Sequence, residues 1–188
     1  MNEIQEAGTG ESSSQELPGP QGIGMAVAFS WGLAVQVLLV PGIALFSQST
    51  LLKISGISQT LSNVLGLILA LLVACGLVLF GEMVRSGRNW ARLVQIVANA
   101  LLTLGGIFSL VNVYQGARTG NFWPLITTVI LLVFSPLIAR RLSRSRTAHW
   151  FKVITPAEAR KRHGGAWVWF IALWALAGGI LQTLAAMK

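Results

Sequence analysis

"LSNVLGLILALLVACGLVLFGEMV", residues 61–84, runs directly into "RSGRNWAR", residues 85–92, and a second apolar stretch begins before that turn is complete. The first stretch carries one ionisable carboxylate, Glu82, in its last turn. It exceeds the ~18–20 residues a helix needs to cross ~30 Å of hydrocarbon. A membrane strand would be about half as long and would alternate in polarity, which this run does not. Backbone groups in lipid must find partners within their own segment, so the run reads as a transmembrane helix. The pattern recurs at Ile23–Ser47, Ala91–Val113, Phe122–Ala139 and Trp167–Met187. The expected fold is therefore all-α, an integral membrane bundle of five transmembrane helices. The fourth run is the shortest and has Pro136 near its end, a residue membrane helices tolerate.

Composition agrees. Hydrophobic residues make up 54% of the 188 and charged residues 11%, against about 25% charged in soluble domains. The mean hydropathy is +0.67. Residues 1–22 differ in kind, with four glutamates, no Lys or Arg, and many Gly, Ser and Pro. Such a segment cannot form a core and reads as a disordered acidic tail, leaving 23–188 as the transmembrane domain. It lacks the positive region that opens a signal peptide, so the first span is expected to be retained.

Short-loop Lys and Arg set orientation. Arg85, Arg88 and Arg92 follow the second span. Arg140, Arg141, Arg144, Arg146, Lys152, Arg160, Lys161 and Arg162 follow the fourth, in a basic loop at 140–165. With five spans these eleven share one side, and the other three of the fourteen, Lys53, Arg118 and Lys188, share the opposite side. The tail and the basic loop are expected in the cytoplasm and the C-terminus outside. Trp31, Trp90, Trp150, Phe151, Trp167 and Trp169 are expected in the belt at the cytoplasmic interface, and Trp123 in the outer one. Within the loop, "TPAEARKRHGG", residues 155–165, reads as a short helix. Thr155 is its N-cap, Pro156 its first residue, and Glu158 completes a capping box. The eight basic residues of the loop form a candidate membrane-surface site for anionic lipid, each contributing about 1 kcal/mol near such a surface. Because topology accounts for the charge, a sequence pI of 11.2 does not call for a nucleic-acid partner.

Residues able to do chemistry are few. There is no aspartate, and only Glu82 and Glu158 lie outside the tail. Both histidines, His149 and His163, fall in the basic loop, so no span offers a haem or three-ligand zinc site. No nucleophile elbow, phosphate loop or dinucleotide motif occurs. The lone cysteine, Cys75, is expected to be a small packing residue. Catalytic residues, metal sites and cofactors are accordingly expected to be absent.

Three arrangements remain. Glu82 and Arg85, three apart, form a candidate interfacial ion pair beside the turn at Gly87. Arg92, Gln95, Asn99 and Thr103, continued by Gly106, share one face of the third span. Exposed to lipid that face is costly, so it is expected to turn inward, bonding neighbouring helices or lining a pathway. Gly24, Ala28 and Gly32, with Gln36 next, form a small-residue stripe on the first span, and Ala175 and Gly179 repeat the spacing on the fifth.

The stretches "GEMVRSGRNWARLVQIV" (81–97) and "FSPLIARRLSRSRTAHWF" (134–151) resemble junctions in small, functionally uncharacterised bacterial multi-spanning membrane proteins. The resemblance implies an integral protein of a bacterial inner membrane and transfers no activity. The expected role is that of a non-enzymatic scaffold, accessory or regulatory subunit, with a small transporter or channel component as the alternative. Its partners are the bilayer, anionic lipids, and a protein partner or second copy.

The eleven-to-three split of basic residues generates a test. A topology reporter fused after Lys188 should read as external, and one inserted between Ser143 and Thr155 as cytoplasmic. Readings on the same side would eliminate the five-span arrangement.

Overall fold

The computed structural model describes residues 20–46 and 58–186, which form seven helices and no strands. We label them α1 (Ile23–Phe46), α2 (Gln59–Arg85), α3 (Asn89–Arg118), α4 (Pro124–Ser143), α5 (Ser145–Val153), α6 (Pro156–Arg162) and α7 (Ala166–Ala186). α1, α2, α3, α4 and α7 are each long and apolar enough to cross a membrane. The protein is an all-α, multi-pass membrane bundle. The acidic stretch up to Gly19, together with Lys53 and Lys188, lies outside the described residues.

Two turns of the same construction make the sharp reversals. α2 ends with the Gly87 N–H donating to the Val84 carbonyl and the Arg88 N–H to that of Met83, while Gly87 takes φ +76°. α3 ends with the Gly120 N–H on Ala117 and the Asn121 N–H on Gly116, with Gly120 at φ +73°. Both are Schellman terminations, which place glycine where a side chain would be strained. At Gly87 space is short as well. A Cβ there would sit 2.7 Å from Ile154 Cγ2.

α1 is the central helix and packs most extensively on α2 and α7, whereas α3 packs chiefly on α4. The α1–α7 contact runs along the small-residue stripe. A Cβ on Gly32 would lie 3.3 Å from the Ala175 carbonyl oxygen, and one on Gly179 only 2.7 Å from the Gly32 oxygen and 2.6 Å from Val35 Cβ. Backbones approach because nothing stands between them, and van der Waals contact is the available attraction where lipid is as apolar as the side chains.

The large buried side chains gather elsewhere. Val84, Ala91, Ile138, Leu142, Trp150, Phe151 and Ala159 form one cluster with Ile23 and Val27, at the end of the bundle where α2 meets α3 and α4 meets α5. We call this the basic end. The segment expected as a loop at 140–165 is mostly helical there. α5 and α6 fold over the α2–α3 turn as a cap. Trp150 and Phe151, expected in an interfacial belt, are instead 1% and 4% exposed. Trp31 also departs from its expected place. It lies two turns inside α1, its Nε1 donating to the Val78 carbonyl at 3.3 Å. Cys75, expected to pack, is exposed on the outer face of α2.

α4 contains one wide turn. Ile130–Phe134 is π-helical, and the Ser135 N–H donates to Ile130, five residues back. Pro136 accounts for it. Its ring clashes with the carbonyl four residues earlier and it offers no N–H, so the helix opens there.

Adjacent glycines of α7 separate close packing from backbone flexibility. Gly179→Ala should lower stability by about 1–3 kcal/mol, since the methyl meets Val35 and the Gly32 carbonyl. Gly178→Ala, where a Cβ meets nothing within 4 Å, should be neutral or stabilising by up to about 1 kcal/mol. Thermal unfolding in detergent measures both, and equal losses would remove the packing explanation.

Candidate functional site

The polar residues of α3 form a continuous seam facing the bundle. Arg92, Gln95 and Asn99 are buried and Thr103 is half-buried. Arg92 anchors the basic end, where Nε donates to Asn89 Oδ1 at 3.0 Å and Nη1 to the Leu142 carbonyl at 2.9 Å. Its guanidinium also lies 5.9 Å from the centre of the Phe151 ring. One arginine thus ties α3 to the end of α4 and to α5. One turn on, Gln95 Oε1 accepts from Ser30 Oγ of α1 at 3.4 Å.

Asn99 differs from expectation. Its Nδ2 donates to the Gln95 carbonyl of its own helix at 2.8 Å, and its Oδ1 has no hydrogen-bond partner. Thr103 likewise turns back, onto the Asn99 carbonyl at 2.8 Å. The second interhelical bond comes from Ser109 and Thr128 of α4, whose hydroxyls lie 2.7 Å apart. Sequence reasoning missed that pair, although Ser109 follows Gly106 by three residues and continues the same face. Ser135, seven residues after Thr128 on the same side of α4, was missed too. It is fully buried and its Oγ has no partner. The contacts Arg92–Leu142, Ser109–Thr128 and Gly106 against Leu131 fix an antiparallel register. In that register Asn99 is level with the turn holding Ser135 and Ile138. Two unpartnered buried oxygens therefore occupy facing helices at one level. Both can accept hydrogen bonds and the Ser135 hydroxyl can also donate one, and no titratable side chain accompanies them.

Glu82 sits in a second cluster, on the cap. Arg85 grips it with Nε to Oε2 at 2.6 Å and Nη2 to Oε1 at 2.8 Å, and Arg160 of α6 approaches Oε1 at 3.4 Å. Arg85 Nη1 also donates to the His163 carbonyl at 2.8 Å. The carboxylate thus joins the end of α2 to α6, beyond the pairing expected within α2 alone. α6 carries the capping box. Thr155 Oγ1 accepts from the Glu158 N–H at 3.4 Å, and Glu158 Oε2 accepts from the Thr155 N–H at 3.2 Å and its hydroxyl at 2.9 Å. Those bonds hold the Glu158 carboxyl below its ordinary range.

Of the eight candidate lipid-facing bases, Arg140, Arg144, Arg146, Lys152, Lys161 and Arg162 are exposed, and Arg160, also exposed, leans toward Glu82. Arg141 is half-buried, its Nη1 3.3 Å from Met25 Sδ of α1. Among the described residues no three His, Cys, Asp or Glu side chains come together. No family model, curated protein or solved structure matches the chain.

His163 closes the cap. Its ring packs tilted against Trp167, centroids 4.8 Å apart, and edge-on to Trp150 at 5.7 Å, and Nδ1 lies 3.1 Å from the Ala159 carbonyl. Burial, chiefly, with the charges of Arg85 and Arg162, holds its pKa below the usual 6.5, against the opposing bond to Ala159. The folded cap favours neutral imidazole, so the free side chain takes up a proton at higher pH than the docked one. The stabilisation is complete above about pH 6.5 and is lost as pH falls through the lower, folded value. Amide-exchange protection of 156–163, corrected for intrinsic rates, should therefore fall between pH 7.5 and 5.5. His163→Gln should flatten that dependence. Protection that is constant or rising in the unsubstituted protein refutes the assignment.

Proposed function

We propose that this chain is a non-enzymatic scaffold, accessory or regulatory subunit of a bacterial inner membrane. The N-terminus is cytoplasmic, the C-terminus external, and the basic end faces the cytoplasm. One observation carries the reading. Two charged groups beneath the cap have structural partners: Glu82 binds Arg85 and Arg160, and Arg92 donates to Asn89 and Leu142. An active site needs an acid, base or nucleophile left available beside a substrate cavity, and these groups are engaged in fixing the cap. A membrane protein partner or a second copy of the chain, together with anionic lipid at the exposed bases, fits that role.

A transporter or channel component is the second reading, favoured by the unpartnered Asn99 Oδ1 and Ser135 Oγ between α3 and α4. Cysteines placed singly at Gln95, Asn99 and Thr103, with Cys75→Ala as background, separate the two. The scaffold reading expects all three to resist a water-soluble thiol reagent in membranes. It also expects the protein to emerge from mild detergent with a stoichiometric membrane partner or as an oligomer. Rapid labelling of all three positions would overturn it in favour of an aqueous path.

A further inference from the structure

An apolar groove of about 530 Å³ runs between α1, α4 and α7. α4 touches α7 through its first turns, 124–129, and α1 through its last, 135–143. Between those contacts the helices part. Its lining combines small residues, Gly24, Gly32 and Gly178, with the aromatic Phe29, Phe134 and Trp174. The lining extends from Gly24 to Gly32 on α1 and from Phe170 to Gln182 on α7. At 1.5 Å per residue that is about 12–18 Å, close to half of a ~30 Å hydrocarbon core. The groove is as long as one leaflet is thick. An acyl chain is the apolar object of that length that a bilayer supplies.

The basic end of the groove is charged. Met25 lines it there, and the Arg141 guanidinium reaches the Met25 sulfur across the mouth. A thioether is a weak acceptor that satisfies few of a guanidinium's five donors. Arg141 joins no ion pair among the described residues, while Arg140 is exposed beside it. The N-terminus of α1 opens at the same level, with the Gly22 backbone packed on the Arg141 side chain. An anion at this mouth would meet a guanidinium and the positive end of a helix dipole.

We propose that the groove is a binding site for one anionic glycerophospholipid, an acyl chain between α1, α4 and α7 and the phosphate at Arg141. This goes beyond the scaffold reading and does not depend on it. It also differs from general attraction of acidic lipid to the exposed bases, because a chain-sized slot and one arginine at its mouth define the site.

Gly178 supplies the test, because it lines the groove and a Cβ there meets nothing within 4 Å. A larger side chain there starts into open space. The full chain in mild detergent would be titrated with dioleoyl phosphatidylglycerol and dioleoyl phosphatidylcholine and read by native mass spectrometry. One phosphatidylglycerol should be retained per chain, with roughly tenfold preference over phosphatidylcholine. Gly178→Leu should reduce retention of both lipids at least about fivefold, and Ala177→Leu offers a second obstruction should the first fail to fold. Arg141→Gln should leave phosphatidylcholine binding in place and bring the preference to about twofold or less, while Arg146→Gln, on α5, should keep it. Unchanged phosphatidylglycerol retention in the folded obstructed variants would overturn the proposal, leaving only a surface phosphate contact. Equal effects of Arg141→Gln and Arg146→Gln would overturn it in favour of diffuse charge. A dimer that disappears on obstruction would assign the groove to a second copy instead.

Discussion

Apolar side chains gain nothing from one another inside a bilayer that they do not already gain from lipid, and that constraint divides this molecule in two. Along the spans, close packing depends on absent side chains, and Gly32 and Gly179 let two backbones meet. At the basic end, water returns and burial of large apolar groups becomes a driving force again. Trp150, Phe151, Leu142 and Val84 collect there. The five spans are thus held by thin contacts at mid-membrane and a true core at one end. Because that core draws on α1, α2, α3, α4 and α7 as well as α5 and α6, it fixes the spacing of the whole bundle.

The polar groups follow the same division. In the cap, Glu82 and Arg92 work against partial hydration and bond across large sequence separations, to α6 and to the end of α4. Deeper in, the seam becomes hydroxyl and amide, with one bond each to α1 and α4. Its members Asn99 and Thr103 bond the backbone of their own helix, as Thr183 does on α7. A side chain that bonds its own preceding turn needs no neighbour, so it tolerates the loose packing that lipid permits. Asn99 and Ser135 still leave oxygens unpaired. At about 1–3 kcal/mol for each unsatisfied buried group, the seam is the least settled part of the interior.

The five spans and the capping box were legible because their signals are local: apolar length, cap residues and a glycine after the last turn. α3 runs to Arg118, beyond the expected Val113, with Arg118 lying over the Tyr114 ring one turn back and Gly120 ending the helix. The cap was not legible. An aromatic residue among arginines has the same pattern whether it lies in headgroups or under a folded segment, so the sequence does not distinguish the two environments for Trp150. The exposure of Cys75 is hidden from the sequence for another reason. α2 is apolar on every side, and without a polar stripe its sequence does not indicate which side faces lipid. The α3 face was readable from spacing, but the bonding partner of Asn99 depended on its rotamer and on a helix 36 residues further along.

α4 shows how one backbone feature serves two interfaces. Thr128, Ser135 and Leu142 are the buried positions toward α3, each seven residues from the next. Ile130, Phe134 and Ile138, each four from the next, line the groove against α1 and α7. The wide turn at 130–134 lies where both series pass through the same helix. Adding about one residue to that turn relieves the Pro136 clash, and the series before and after it still meet their own neighbours. Pro136 therefore does more than weaken a span. The turn it imposes keeps Ser135 in the seam while Phe134 remains a wall of the slot. The close packing of α4 on α3 and its separation from α7 at mid-membrane follow from the same local geometry.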